Sequence, residues 1–408
     1  MRAIISIVRK YKEYYYLWRE MIVEQLAYCL SHLKKNELQE IADYFEFDIE
    51  SGMKKADLLH EVARRLCEDP VDWLNKLPSR DIQLLLDLLD SGVDRRVEAD
   101  GADSFTIVEL LKLVDSVYIE DYYRKITLCK PLGDLIAPFA RELFEDNRRN
   151  GRYMIESVII GYLSIYGVIS GQDLVDILFR DIDLNEDVER ISNMIAECPI
   201  IKIYREEVDG EPYFVSPEMF SIDYVLEKRK ELKQDSGYKY YPWPAAIEAG
   251  ENFPYNFFGS DSKEYRDVLD MLQGLGYDRF DQEDILHEIW YKSQFAGDEI
   301  ASESLFDCLS DSRGEFYSFD EYKRCIDIIT AYANSLPKWV LRGRSANEAG
   351  MMKISIKVDD DNFADEEPRA PQYQCTALCN TSDKVGWAWM ILSKSDTDAS
   401  KFSKTVAS

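Results

Sequence analysis

Basic residues are in short supply. Against 77 Asp and Glu the chain sets only 49 Lys and Arg, a formal charge of −28 over 408 residues. That imbalance excludes broad adhesion to nucleic acid or to an anionic membrane and confines any phosphate contact to a local patch. Histidine is scarcer, with only His32, His60 and His287. His287-Glu288 lacks the second histidine of a metalloprotease helix. No Gly-rich phosphate loop is present, since Gly274-Leu275-Gly276 has no strand before it, and no Gly-x-Ser-x-Gly elbow occurs. Carboxylates are so numerous that no acid–base pair stands out. Cys375 and Cys379 are four apart with no second pair nearby, and the other cysteines are scattered singly, so the spacing does not supply a tetrahedral zinc set. The expectation is a protein without catalytic residues, cofactor or metal.

No apolar run approaches membrane-spanning length. The apolar start of "MRAIISIVRKYKEYYYLWRE" is soon interrupted by Arg9, Lys10, Lys12 and Glu13, unlike a secretory leader. The expected setting is the cytoplasm, with reduced thiols and no membrane contact.

What is present is concentrated first in Ser31–Leu66, "SHLKKNELQEIADYFEFDIESGMKKADLLHEVARRL". Leu38, Ile41, Ala42 and Phe45 recur at three- and four-residue steps, as one apolar face of a helix does. Leu58, Leu59, Val62, Ala63 and Leu66 mark a second helix. Between them Glu46–Gly52 alternates apolar and polar residues, and Ser51 is the expected N-cap of the second helix. Helices this short are marginal alone and must pack on each other or on a neighbour.

These residues resemble a known family. "LKKxELxEIAxxF", a short link and "SGMKKADLLHEV" are similar to the helix–extended loop–helix domain at the N-terminus of the transcription terminator Rho and to SAP-type modules. The resemblance covers about a tenth of the chain. It implies contact with DNA or RNA through basic residues at the helix starts, here Lys34, Lys35, Lys54 and Lys55, with Arg64 and Arg65 adding charge. Against it stands the local balance of six basic and eight acidic residues, which lacks an electropositive footprint.

Along the chain, Tyr11–Leu30 reads as a helix. Its Tyr14-Tyr15-Tyr16 and Trp18 serve as a packing face or, alternatively, as a platform for bases. Pro70 is expected to end the opening module. Ile82–Leu89 reads as helix, Gly92–Asp103 as an acidic loop, Ile107–Val114 as helix and "SVYIEDYYRKITLC" as strand. Pro131-Leu132-Gly133 is expected to break the chain before a helix over Leu135–Phe144, and "EDNRRNGR" to mark a boundary. From Met154 to Leu232 the pattern predicts three helices, with Ser170 three residues before Asp173 as a capping start. A hairpin follows, with "IIKIYREE" and "PYFVS" around Asp209-Gly210.

Three helices and a hairpin look like a winged helix. The third helix carries Glu186, Asp187, Glu189 and Glu197 against Arg190 alone, so packing or protein contact is expected there rather than groove reading. Tyr238–Phe258, dense in Pro and aromatics, reads as a structured loop. Three further helices fall in Glu264–Leu341.

Trp339, Leu341, Gly343, Ser345 and Glu348 match a Trp-x-Leu-x-Gly-x-Ser/Thr pattern. It resembles the closing segment of an uncharacterised bacterial group, some of whose members carry a Rho-like opening module and a zinc-binding SEC-C tail. Beyond Lys357 an acidic run leads to a polar tail. Lys401, Phe402 and Lys404 are similar to that tail, but Ser393, Ser395, Thr405 and Val406 stand where ligands belong. The tail is either a decayed metal site or the product of an altered reading frame, and neither supports metal binding.

The fold class expected is mainly α, a multi-module helical protein with a winged-helix-like segment and small β-hairpins. The expected modules are residues 1–70, 71–150, 151–235, 236–348 and a polar tail over 349–408. The expected function is that of a non-enzymatic bacterial or phage-like binding protein docking DNA, RNA or a protein partner. Its rivals are a protein-interaction adaptor using the aromatic stretch around Trp243, and an enzyme with an unfamiliar carboxylate site.

Overall fold

The computed structural model describes residues 19–91, 94–98, 106–120, 123–181, 188–232, 237–251, 253, 262–294, 309 and 319–354. These are mainly helical, with two small three-stranded antiparallel sheets. The Tyr14–Tyr16 cluster, Trp18, Cys375, Cys379 and the tail motif lie outside the described residues. Contacts divide the chain into two compact units. One takes Met1–Glu156 with Leu184–Ile203, and the other takes Ser157–Asp183 with Tyr204–Ser408.

The first unit opens with α1 (residues 19–30), α2 (Lys35–Phe45) and α3 (Lys55–Glu68). The periodic residues of α2, Leu38, Ile41, Ala42 and Phe45, are all buried, and so are Leu58, Val62, Ala63 and Leu66 of α3. The link alternates as its sequence predicts, with Phe47 and Ile49 packed on the core and Asp48 and Glu50 exposed. Ser51 is not the cap. It sits in a turn with Gly52, and the extended residue before α3 is Lys54 (φ −70°, ψ 156°). The second helix of the module stops at Glu68, just before Pro70. Pro70 starts a further helix, α4 (Pro70–Asn75), where Asp69 accepts from Asp72 N at 3.1 Å; a first-turn proline has no amide bond to lose. Trp73 of α4 is fully buried, edge-on to Phe45 at 5.4 Å, and its Nε1 donates to Leu66 O.

After α5 (Ser79–Ser91) comes β1 (Asp94–Glu98), a strand where a loop was expected. Four of its five residues are charged. Strand order β1-β3-β2 makes β1 an edge, the position where charge is tolerated. Next are α6 (Ile107–Leu110), β2 (Val114–Glu120) and β3 (Tyr123–Leu128), with Val114 opposite Leu128. Pro131 lies in the first turn of α7 (Lys130–Ile136), so the break falls before α8 (Ala140–Arg149), which runs through the expected boundary. The helix α9 (Arg152–Tyr166) crosses the division between the units.

In the second unit β4 (Val168–Ser170) leads to α10 (Gly171–Leu178), whose Ser170 cap accepts from Asp173 N at 3.2 Å. A 3-10 turn, Phe179–Asp181, follows. The expected third helix is α11 (Val188–Ala196), and "IIKI" forms α12 (Pro199–Ile203) rather than strand; both belong to the first unit. The hairpin β5 (Arg205–Val208) and β6 (Glu211–Val215) turns through Asp209 (φ 54°) and Gly210 (φ 83°), the two positive dihedrals of a type I′ loop. The sheet order is β4-β6-β5.

Then come α13 (Ile222–Glu231), α14 (Trp243–Glu251), α15 (Lys263–Gly274), α16 (Arg279–Gln294), α17 (Phe319–Ser335) and α18 (Ala346–Ala349). Thus the aromatic stretch is partly helix, not loop throughout. A Cβ at Gly161 would stand 1.8 Å from Ala246 O, and one at Gly250 would stand 2.0 Å from Ser157 O. Only glycine lets α9 and α14 approach this closely. Val268, Leu272, Ile289, Tyr332 and Trp339 centre the core of this unit.

Candidate nucleic-acid interface

Four lysines flank two helix starts. Lys34 is the N-cap of α2 and its backbone N–H donates to Glu37 Oε2 at 2.5 Å; Lys35 is the first helical residue. Lys54 and Lys55 hold the equivalent places on α3. All four are exposed. Lys55 Nζ donates to Ser31 O at 3.0 Å, which ties the start of α3 to the turn that precedes α2. Both pairs therefore face the end of the module from which the unpaired amide groups of two helices point.

The acidic residues nearby are largely committed. Lys112 Nζ meets Glu37 Oε1 at 2.5 Å, and this bond, with the Lys34 amide, holds the Glu37 carboxyl below its usual range. Lys112 has a left-handed φ of 54° just past the end of α6, where Leu113 N donates to Val108 O at 2.9 Å; its partner Glu37 lies 75 residues away in sequence, so no local signal reveals the pairing. Asp57 remains as an exposed carboxylate in the first turn of α3. Among the described residues no carboxylate forms an ion pair with the side chain of Lys34, Lys35, Lys54 or Lys55.

Arg64 and Arg65 lie toward the other end of α3 and are engaged. Arg64 donates Nε and Nη2 to Glu61 at 2.8 and 2.6 Å and Nη1 to Glu68 at 2.9 Å. Arg65 donates to Glu61 and, at 2.9 Å, to the Asp48 carbonyl of the link. Hydrogen bonding from Arg64 keeps Glu61 ionised below its ordinary value. Arg65 thus braces the link against α3, while Arg64 pairs with carboxylates of α3 itself. A comparable bracing holds the carboxyl end of α2, where Lys76 donates to Phe45 O and Lys202 to Tyr44 O and Glu46, all at 2.8 Å. Cations at that end answer its exposed carbonyls.

The other sequence candidates make contacts within the chain. His32 donates to Cys29 O, His60 pairs with Glu24 at 3.3 Å, and His287 meets Glu218 at 2.8 Å. Around Trp243 the aromatic stretch is fastened down within its own unit. Trp243 Nε1 donates to Leu178 O, Tyr241 OH to Gly343 O, and Tyr166 OH to Lys239 O. The Trp-x-Leu-x-Gly-x-Ser pattern has a packing explanation: Trp339 and Leu341 are fully buried, and Ser345 with Glu348 forms the capping box of α18. Among the described residues no group of three or more His, Cys, Asp or Glu is placed to hold a metal, and no helix is long and apolar enough to cross a membrane.

No family model, curated protein or solved structure matches the chain.

Proposed function

We propose that this is a non-enzymatic binding protein whose helix–link–helix module grips the phosphate backbone of DNA or RNA through Lys34, Lys35, Lys54 and Lys55. The observation that carries the reading is the Lys55–Ser31 bond, which gathers two lysine-bearing helix starts at one end of the module. Helix N-termini favour anions, and exposed ammonium groups that form no ion pair with a carboxylate among the described residues can meet phosphate oxygens. With a net charge of −28 over the whole chain opposing it, binding is local and weak at high salt. The resemblance to the Rho and SAP modules supports the same residues; the braced Arg64 and Arg65 are accessory. Fluorescence anisotropy of the full chain with labelled single-stranded and duplex oligonucleotides tests it. Replacing all four lysines by Glu abolishes binding on this reading; unchanged binding removes it.

A second reading rests on a different observation. In the second unit a cleft of about 490 Å³ is lined by Glu206, Glu207, Asp209, Asp223, Met219 and Phe220. Its acidic rim with apolar side chains suits a cationic protein segment, and recovery of a protein partner without nucleic acid favours this adaptor role.

A further inference from the structure

The second sheet ends in an open edge. In the order β4-β6-β5, β6 is the only strand beside β5 among the described residues. Val215 N donates to Tyr204 O at 2.9 Å, and in the same register Glu206 stands opposite Tyr213 and Val208 opposite Glu211. An antiparallel ladder bonds every second residue to the neighbouring strand. Tyr204, Glu206 and Val208 therefore turn their peptide groups toward β6, and Arg205 and Glu207 turn theirs away. Pro212, opposite Glu207, has no N–H to donate there, as this alternation requires. Arg205, Glu206 and Glu207 are exposed, and among the described residues no backbone bond reaches Arg205 or Glu207 from outside the hairpin. Four consecutive residues, Glu206–Asp209, line the acidic cleft, so it follows the edge of the strand rather than one of its faces. Val208 and Val215, which share a face by the pleat, line it together with Met219, Phe220 and Ile222, and Phe220 is 62% exposed. No Lys or Arg is among its lining residues.

We propose that the outer edge of β5 receives an extended basic segment of a partner protein as an added antiparallel strand. The proposal rests on the adaptor reading of the cleft and specifies how that partner docks. Main-chain groups of the segment pair with those of Arg205 and Glu207, and the alternation of side chains sets its composition. Residues opposite Arg205 and Glu207 lie on the Glu207 face, where Lys or Arg meets a carboxylate. Residues between them lie on the Val208 face, where apolar side chains reach Met219, Phe220 and Ile222. Carboxylates along an open edge repel acidic strands, a second copy of this one included, and admit basic ones.

The test follows the fluorescence anisotropy of a labelled Lys-Val-Lys-Val-Lys-Val-Lys peptide titrated with the full chain in about 150 mM salt, which screens exposed charges beyond about 8 Å. Two further peptides of the same charge carry N-methyl groups, one on its lysine amides and one on its valine amides. In the added strand the lysine amides face β5, so their methylation is expected to weaken binding by about tenfold or more, and valine methylation by much less. Glu206→Lys with Glu207→Lys weakens the unmodified peptide by about tenfold. The same charge change at exposed positions of α8, Glu142→Lys with Glu145→Lys, leaves its affinity within a factor of about two. Equal affinity of the two methylated peptides, with the β5 variant still impaired, overturns strand addition and leaves the adaptor reading standing. No binding by any peptide, or binding that the β5 variant leaves intact, overturns both. The methylated pair decides strand addition on the unaltered chain, whatever a variant does to folding.

Discussion

Arg229 grips the Trp339 carbonyl twice, through Nε at 3.0 Å and Nη2 at 2.7 Å. The same guanidinium donates to Val168 O at 2.8 Å and Tyr166 O at 2.6 Å, so one side chain satisfies three buried carbonyls from two segments of the second unit. Burial disfavours its charge and lowers its pKa, and the carbonyl dipoles offset that cost. Arg229→Ala leaves these acceptors without a donor and is expected to destabilise the unit by about 3–5 kcal/mol. Arg229→Lys recovers only part, since an ammonium lacks the planar fork. Urea unfolding followed by Trp fluorescence measures both.

Gly167 and Gly343 have φ of +73° and +82°. A Cβ on Gly167 would stand 2.4 Å from Trp339 Cγ, and one on Gly343 would stand 2.6 Å from Tyr166 Cε1. Each Gly→Ala change combines a strained dihedral with a clash against a buried ring and is expected to cost about 2–4 kcal/mol. Gly210→Asn, in an open turn, should cost much less. Thermal unfolding of the three variants checks the ranking.

Two buried carboxylates set a pH dependence for the first unit. Asp81 Oδ1 accepts from Val108 N at 2.8 Å, and its other oxygen has Arg80 at 3.8 Å and Glu109 nearby. Glu156 Oε2 accepts from Ser79 N at 2.8 Å and has Arg152, Asp81 and Cys198 around it. Burial pushes Asp81 up to about 6 and Glu156 up to about 7. A carboxyl raised on folding contributes stability that is full below its unfolded pKa and is lost as pH rises through the folded value. Stability of this unit should therefore fall between about pH 4 and pH 7, by roughly 3 kcal/mol per group as an upper bound. Glu156→Gln should flatten the upper part of that decline. Urea midpoints for both proteins across that range give the measurement.

Much of the local architecture was legible because neighbouring residues decide it. Phe47 and Ile49 alternate with charged residues and face inward, Ser170 caps where its spacing says, and Asp209-Gly210 makes the tight turn. What escaped was decided by distant contacts. The charges of Asp94–Glu98 hide a strand that exists because β3 offers it an edge. In Trp243–Glu251 the aromatic and proline content masks a helix whose packing depends on glycines in α9 and α14. In the candidate site the helix starts could be read, but not Lys112 beside Glu37 or the capture of Arg64 by Glu61 and Glu68.

The most direct test of the phosphate-binding account is the salt dependence of oligonucleotide affinity. Four lysine–phosphate contacts predict that the logarithm of the association constant falls against the logarithm of salt concentration with a slope of about −3.6 on duplex DNA. Each Lys→Glu change at Lys34, Lys35, Lys54 or Lys55 should make that slope shallower by about 1. A slope near zero, or one that these changes leave untouched, contradicts the account.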